Sequence, residues 1–332
     1  VRECIRICRQ RNVTIWHAHD YKSNFLGLLV RRFHPMHLVT TAHGWVRFTS
    51  RTPLYYRIDR FCMKRYERVI CVSPDLIEEC QNAGIRSDLL KLIDNAICTD
   101  DYSTAAVTAS DRAKFASGNV RLLIGAAGRL SEEKGFDHLI AAVGRLISHG
   151  YDVGLAIAGE GHLRDTLQKQ IDSLGFAERI RLVGFLSDPR ELYQASDLFV
   201  LSSLREGLPN VVLEAMASAR PVIATRCNGI PRLITDNENG LVVEPGSSDQ
   251  LFQAMQLCCD SEALRQRLAA EGHRTVSEHF DFRQRMQKVV AVYRSLSPEL
   301  EVALPEAVRP HCISSPVNSC DSRSSEPAEA LV

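Results

Sequence analysis

Between about residues 120 and 245, short apolar runs rich in β-branched residues alternate with longer segments of helical period, most runs closing on Gly or Ser. That alternation predicts repeated strand–helix units. Strands are expected at 120–127, 152–159, 179–185, 197–203, 220–225 and 240–245, with helices near 135–149, 162–174, 189–195 and 209–218 and a longer one at 248–271. Runs this apolar suit a parallel sheet covered on both faces. The pattern therefore predicts an α/β, doubly wound, Rossmann-like domain over 106–280.

The first hundred residues read as the later part of a second such domain, 1–105. They hold a helix at 1–11, strands at 12–19, 37–43 and 68–73, and helices at 22–33 and 74–82. Few strands remain for a Rossmann sheet, and the chain opens inside a helix on Val1, so N-terminal strand–helix units are expected to be missing. Residues 99–119 are small and polar enough for an interdomain linker with a short helix. A C-terminal helix at 281–297 is a candidate to cross back to the first domain, and 298–332, rich in Ser, Pro and Glu, is expected to be disordered.

Composition narrows the class. The 332 residues suit about two domains of ~150 residues, and 45% hydrophobic with 24% charged is globular. Forty basic residues balance forty acidic ones, which removes the general electrostatic case for a nucleic-acid binder. No run approaches the ~18 apolar residues of a membrane span, and VRECIRICRQR is too charged for a signal peptide. The eleven cysteines form an odd set without a C-x-x-C pair, so reduced thiols and a cytoplasmic location are expected. The adjacent Cys258 and Cys259 point apart on a helix, a poor start for a metal site.

Ligands of open parallel sheets bind beyond the carboxyl ends of the strands, so chemistry is sought in the loops there. Gly128-Arg129-Leu130-Ser131-Glu132-Glu133-Lys134-Gly135 places two cations beside a helix start, a cluster that suits a diphosphate. Equally, Lys134 can pair with Glu132 or Glu133 in a solvated loop. Gly159-Glu160-Gly161 gives a backbone open to close ligand approach, although an ordinary turn accounts for it as well, and neither a dinucleotide fingerprint nor a P-loop is present. From Leu204 to Ala217, Glu206 sits in a turn, Pro209 opens a helix, and Glu214 is the lone carboxylate on an apolar face. It can accept hydrogen bonds from a ribose diol. The plainer alternative pairs Glu206 with Arg205 and sends Glu214 to solvent.

The carboxylates eight positions apart in E-G-L-P-N-V-V-L-E closely resemble the E-x7-E motif of retaining GT-B glycosyltransferases of family 4. The likeness extends to G-R-L-x-x-E-K-G at 128–135, G-E-G at 159–161, V-G-F at 183–185 and R-P-V-I-A-T at 220–225. In the first domain H-A-H-D-Y-K at 17–22, T-A-H-G-W at 41–45, C-V-S at 71–73 and Asn95-Ala96-Ile97 also match, so it runs from about 12 to 296.

The resemblance implies two Rossmann-like domains facing across a cleft, the first truncated, with a nucleotide-sugar donor bound by the second. Gly128, Gly159, Gly161 and Gly207 would line the donor site. Arg129 and Lys134 would meet the diphosphate, Glu214 the ribose and Glu206 the transferred hexose, with Leu208 and Pro209 beside the phosphates and Gly184 and Phe185 beside the base. The cations and a helix N-terminus would take the place of a divalent metal, no cofactor being needed, and retention in such enzymes is usually discussed as front-side attack. His43 matches the histidine that faces the transferred sugar and is, with Glu206, the catalytic candidate; a capped strand-end histidine fits the spacing as well. His17 and His19 alternate as a metal pair would, but without an evident third ligand. The glycine-rich first loop of the family is absent here, which puts turnover in doubt.

The stretch 47–68 holds seven basic and two acidic residues among aromatics. It reads either as a patch for anionic lipid or a lipid-linked acceptor, peripheral on the inner face of the cell membrane, or as a solvated helix face with Tyr55, Tyr56 and Phe61 packed inward. The expected function is a hexosyltransferase acting on a UDP- or GDP-linked sugar and a glycan or lipid-linked acceptor in cell-surface polysaccharide assembly. The alternatives are a nucleotide-sugar-binding fragment with impaired catalysis, and another GT-B enzyme such as a sugar-nucleotide epimerase or a phosphorylase.

Overall fold

The computed structural model of the chain describes residues 1–43, 52–102, 112–116 and 120–299. Much of the expected linker, Gly44-Trp45, residues 47–51 of the basic stretch and the tail from 300 onward lie outside the described residues.

The first half runs α1 (Arg2–Gln10), β1 (Ile15–Ala18), α2 (Tyr21–Arg31), β2 (His37–Ala42), α3 (Thr52–Met63), β3 (Arg68–Cys71), α4 (Pro74–Asn82) and β4 (Leu90–Leu92). Its strands form one parallel sheet in the order β1-β2-β3-β4. Local chemistry sets the helix starts. Asp20 caps α2 by accepting the Ser23 N–H at 2.7 Å, and Ser73 caps α4, with Pro74 at the first helical position. Strand β4 escapes the hydrophobic pattern because only Leu90 of its three residues is buried.

The second half runs β5 (Leu122–Ala127), α5 (Phe136–Ser148), β6 (Val153–Ala158), α6 (Arg164–Leu174), β7 (Ile180–Gly184), α7 (Arg190–Ala195), β8 (Leu198–Leu201), α8 (Asn210–Ala217), β9 (Val222–Thr225), β10 (Leu241–Val243), α9 (Ser248–Asp260), α10 (Glu262–His279) and α11 (Phe282–Leu296). Its six parallel strands lie in the order β10-β9-β8-β5-β6-β7. The order reverses between β5 and β8, which leaves a crevice beyond their carboxyl ends. Every residue of β5, β6 and β8 is buried, because helices cover both faces. One core joins the sheet to α5, α6 and α9; the other joins it to α7 and α8.

The single helix expected at 248–271 is two. Ser261 breaks it in an extended conformation, and its hydroxyl accepts the Leu264 N–H at 3.1 Å to start α10. A serine that can satisfy a free helical N–H competes with continuation of the helix.

Helix α11 belongs by packing to the first sheet. Val289 and Val292 bury against Val39, Ile70 and Ile93, with Met286 and Tyr293 beside them. At its start, the Ile97 N–H donates to the Phe280 carbonyl at 3.0 Å and the Phe282 N–H to the Ile97 carbonyl at 2.9 Å. Asp94 ties the halves together: its carboxylate accepts Arg232 Nη2 at 2.7 Å, and its carbonyl accepts Arg285 Nε at 3.0 Å. Val289→Asn places an unpartnered amide in this contact and is expected to cost about 1–3 kcal/mol, read as a lower urea midpoint; an unchanged midpoint contradicts the packing role of α11.

Candidate functional site

The loops after β5, β6 and β7 are fastened to one another by backbone. Gly128 N–H donates to the Ala158 carbonyl at 2.9 Å, Leu130 N–H to Glu160 at 3.0 Å and Gly159 N–H to Gly184 at 2.8 Å. A Cβ on Gly159 would lie 1.8 Å from the Gly128 oxygen, and one on Gly161 2.2 Å from the Leu130 oxygen. The glycines of G-E-G thus let the loops after β5 and β6 touch. Arg129 itself is exposed.

The loops after β5 and β8 meet across the crevice. Leu204 N–H donates to the Glu133 carbonyl at 2.7 Å, and Ser202 Oγ to the Lys134 carbonyl at 2.9 Å. Above this seam the Lys134 ammonium pairs with Glu206 Oε1, which also accepts the Ser203 hydroxyl at 2.8 Å. Glu206 is only 13% exposed and Lys134 23%, so little water screens the pair. The local pairings open at the sequence level are otherwise arranged: Glu133 accepts the Ser131 hydroxyl at 2.9 Å and Glu132 faces His162 at 3.0 Å.

Beyond Glu206, Gly207 is exposed with open space where a Cβ would stand. Leu208 and Pro209 are both buried, Leu208 within the core shared with α8, because the helix start must be anchored in apolar surroundings. What this segment offers a ligand is backbone. Gly184 ends β7, and Phe185 is 64% exposed, two strands from the switch point.

Glu214 lies in the second turn of α8, half-buried, and its Oε2 accepts the Tyr193 hydroxyl at 2.5 Å. Burial pushes the Glu214 carboxyl up, the Tyr193 hydrogen bond opposes this, and Asp188 adds to the rise. Tyr193 is fully buried on α7, with its ring edge-on to Phe199 at 5.3 Å. The sequence marks Tyr193 only as a core aromatic; its contact with Glu214 depends on how α7 packs against α8.

In the first half, the register sets Ala18 beside Thr40 and Ala42 beside Cys71, so His19 and His43 both follow strand ends. Their rings approach with His19 Nδ1 and His43 Nε2 3.3 Å apart. His17 stacks on His19 at 4.5 Å and spends both nitrogens, on Tyr293 at 2.5 Å and on Thr41 at 2.8 Å. That use removes it from any metal pair with His19. His19 and His43 keep an open side, yet the protein packed around them favours the neutral rings. Burial, with smaller contributions from the neighbouring imidazoles and Arg285, brings His17 down to about 3 and His43 to about 4; burial and Arg285 lower His19 against an opposing Asp20. Arg285 and Tyr293, both from α11, are site residues the sequence did not disclose.

A histidine held neutral in the fold but free to protonate when unfolded makes stability fall as pH falls below 6.5. His17→Asn is expected to flatten the stability–pH slope between pH 6.5 and 5 relative to the parent chain, by urea melts at each pH; equal slopes contradict the buried neutral imidazole.

Comparison with known proteins adds the following. The profile of the family described as glycosyl transferases group 1 matches residues 107–275, and that of glycosyltransferase family 4 matches residues 1–101. The lipopolysaccharide core biosynthesis glycosyltransferase LpsE of Rhizobium meliloti is 35% identical over 212 residues, 64% of this chain and 59% of that protein. The GPI3 subunit of the phosphatidylinositol N-acetylglucosaminyltransferase of Saccharomyces cerevisiae is 25% identical over 297 residues, 88% of this chain and 65% of that protein. The chain thus spans less than two thirds of the length of these relatives. Among solved structures, Anabaena Alr3699/HepE in complex with UDP-glucose superposes with a TM-score of 0.75 at 23% identity, covering 89% of this chain and 81% of that one. The C-terminal domain of LpcC from Francisella tularensis, a glycosyl transferase group 1 protein, gives 0.52 at 28% identity, covering 56% of this chain and 99% of that domain. The fold is GT-B.

Proposed function

The chain belongs to the glycosyl transferases group 1 family, and we propose that it is a retaining, metal-independent glycosyltransferase that moves a hexose from a nucleoside diphosphate sugar to a glycan or lipid-linked acceptor in cell-surface polysaccharide biosynthesis. One observation carries the reading: Lys134 and Glu206, 72 positions apart, meet in a poorly hydrated crevice at the switch point of the larger sheet, with Glu214 eight residues further on.

Without donor, the ammonium and the carboxylate neutralise each other. An arriving diphosphate offers Lys134 a stronger anion, with Arg129 able to reach the same group from the adjoining loop. Glu206, released, accepts hydroxyl hydrogen bonds from the hexose while Ser203 keeps it in place. As the glycosidic bond breaks, negative charge grows on the leaving diphosphate, and fixed cations with the N–H groups at the start of α8 stabilise it without a metal ion. A neutral His43 from the first half can accept a sugar hydroxyl or orient the acceptor. Front-side attack, with the departing phosphate taking the acceptor proton, gives retention and asks for no further base.

The UDP-glucose complex of Anabaena HepE supports UDP as the first base to try, and the named roles of LpsE and the yeast GPI3 subunit support glycan and lipid-linked acceptors. No helix among the described residues is long and apolar enough to cross a membrane, and the lipid contact we propose is peripheral, on the inner face of the cell membrane. Within 47–68 it would use the outer face of α3, where Leu54, Ile58 and Phe61 are exposed beside Arg57, Lys64 and Arg65. Phe61 faces outward under Arg65 rather than packing inward.

Lys134→Ala is expected to weaken nucleotide binding about tenfold or more by calorimetry, as loss of a charged hydrogen-bond partner does. Glu206→Ala should lower kcat on the order of a hundredfold with nucleotide affinity nearly unchanged. An anomer inverted in the product, read by NMR, sinks the retaining mechanism. For the lipid contact, Ile58→Asp with Phe61→Asp should abolish co-sedimentation with phosphatidylglycerol vesicles; sedimentation equal to that of the parent chain contradicts it.

A further inference from the structure

The two oxygens of the Glu214 carboxylate stand in different positions. Oε2 takes the hydrogen bond from the Tyr193 phenol at 2.5 Å, whereas Oε1 has no protein partner among the described residues and is not sealed from solvent. The phenol has little freedom to do otherwise. Tyr193 is fully buried, its ring braced against Phe199 of β8, and a buried hydroxyl needs an acceptor. The terminal torsion of a glutamate is soft, so without this contact the plane of the carboxylate would not be fixed.

We propose that Tyr193 is the positioning residue that makes this site select ribonucleotides: by holding Glu214 Oε2 it fixes the plane of the carboxylate and aims Oε1 at the ribose diol. The proposal rests on the reading of Glu214 as the ribose acceptor and adds the source of its orientation. A carboxylate fixed before the ligand arrives loses less freedom on binding, and its accepting oxygen is left unpaired when the sugar lacks a hydroxyl. Discrimination against deoxyribose then depends on a side chain that never touches the nucleotide. Burial and Asp188 raise the Glu214 carboxyl, and the phenol bond opposes the rise. Were the phenol merely satisfied by the nearest carboxylate, sugar selectivity would not depend on it.

The test uses the whole chain and the diphosphate it binds among UDP, GDP and ADP, together with the 2′-deoxy and 3′-deoxy forms of that nucleotide. Dissociation constants are measured by calorimetry for the parent chain, Tyr193→Phe, Glu214→Ala and the double variant. The parent should prefer the ribonucleotide by about tenfold or more, the worth of a hydrogen bond to a charged group, and Glu214→Ala should abolish the preference. Tyr193→Phe, which keeps the ring against Phe199, should reduce the preference at least threefold while leaving affinity for the deoxynucleotides within about twofold. The double variant should match Glu214→Ala. A parental preference in Tyr193→Phe, with loss in Glu214→Ala, overturns the role of Tyr193 alone. Preference retained in Glu214→Ala, or no nucleotide bound by the parent, overturns the ribose assignment beneath it. A Tyr193→Phe chain that does not fold makes the phenol a core element and overturns the proposal as well.

Discussion

Parallel strands can be joined only by crossovers, so every strand of the larger sheet delivers its carboxyl end to the same edge. The rest of the molecule follows from that constraint. Loops far apart in sequence are brought into contact without any having to be long: 128–134 after β5, 159–161 after β6, 184–185 after β7 and 202–209 after β8. At the switch between β5 and β8 the helices leave in opposite directions, and the loops after these two strands meet through hydrogen bonds. The ion pair placed there is partly shielded from water, Glu206 being 13% and Lys134 23% exposed.

The smaller sheet uses the same rule to a different end. Its first two strands bring His17, His19 and His43 together, and α11, entering from the far end of the chain, covers the sheet and adds Tyr293 and Arg285 to the group. Apolar packing by α11 therefore also settles the electrostatics, since the protein it brings and the Arg285 charge both favour neutral imidazoles. Asp94 holds this arrangement to the second half through Arg232 and Arg285. The Lys134–Glu206 ion pair belongs to the second half and the neutral imidazoles belong to the first.

Much of the fold is legible in the sequence because buried parallel strands are continuous apolar runs. VRLLIGAA and DVGLAIAG read as such runs, and the structure trims the first by two residues at its start and the second by one at each end. Strand β4 is not legible, since two of its three residues face water, and the break at Ser261 hides because serine is tolerated inside helices as well as at their starts. The polar residues of the site stand out singly: a carboxylate on an apolar helix, cations at a strand end. Their pairings do not. Lys134 has two glutamates within two residues, and only the packing of two loops shows that it chooses a third, 72 positions away. Tyr193 in R-E-L-Y-Q-A reads as core, and it is core; that its hydroxyl ends on Glu214 is a property of two helices packed together. Leu208 and Pro209, close to Glu206 in sequence, are buried, and Leu208 belongs to the core shared with α8.

The central claim is that this crevice holds a nucleoside diphosphate sugar, and thermal stabilisation of the purified chain tests it most directly, since a ligand that binds only the folded state raises stability by mass action. UDP, GDP, ADP and their sugar conjugates would be compared, with Glu214→Ala as control. A rise in Tm is expected with one base, dependent on ligand concentration and lost in Glu214→Ala. A folded chain that none of these nucleotides stabilises, or a rise that persists undiminished in Glu214→Ala, would contradict it.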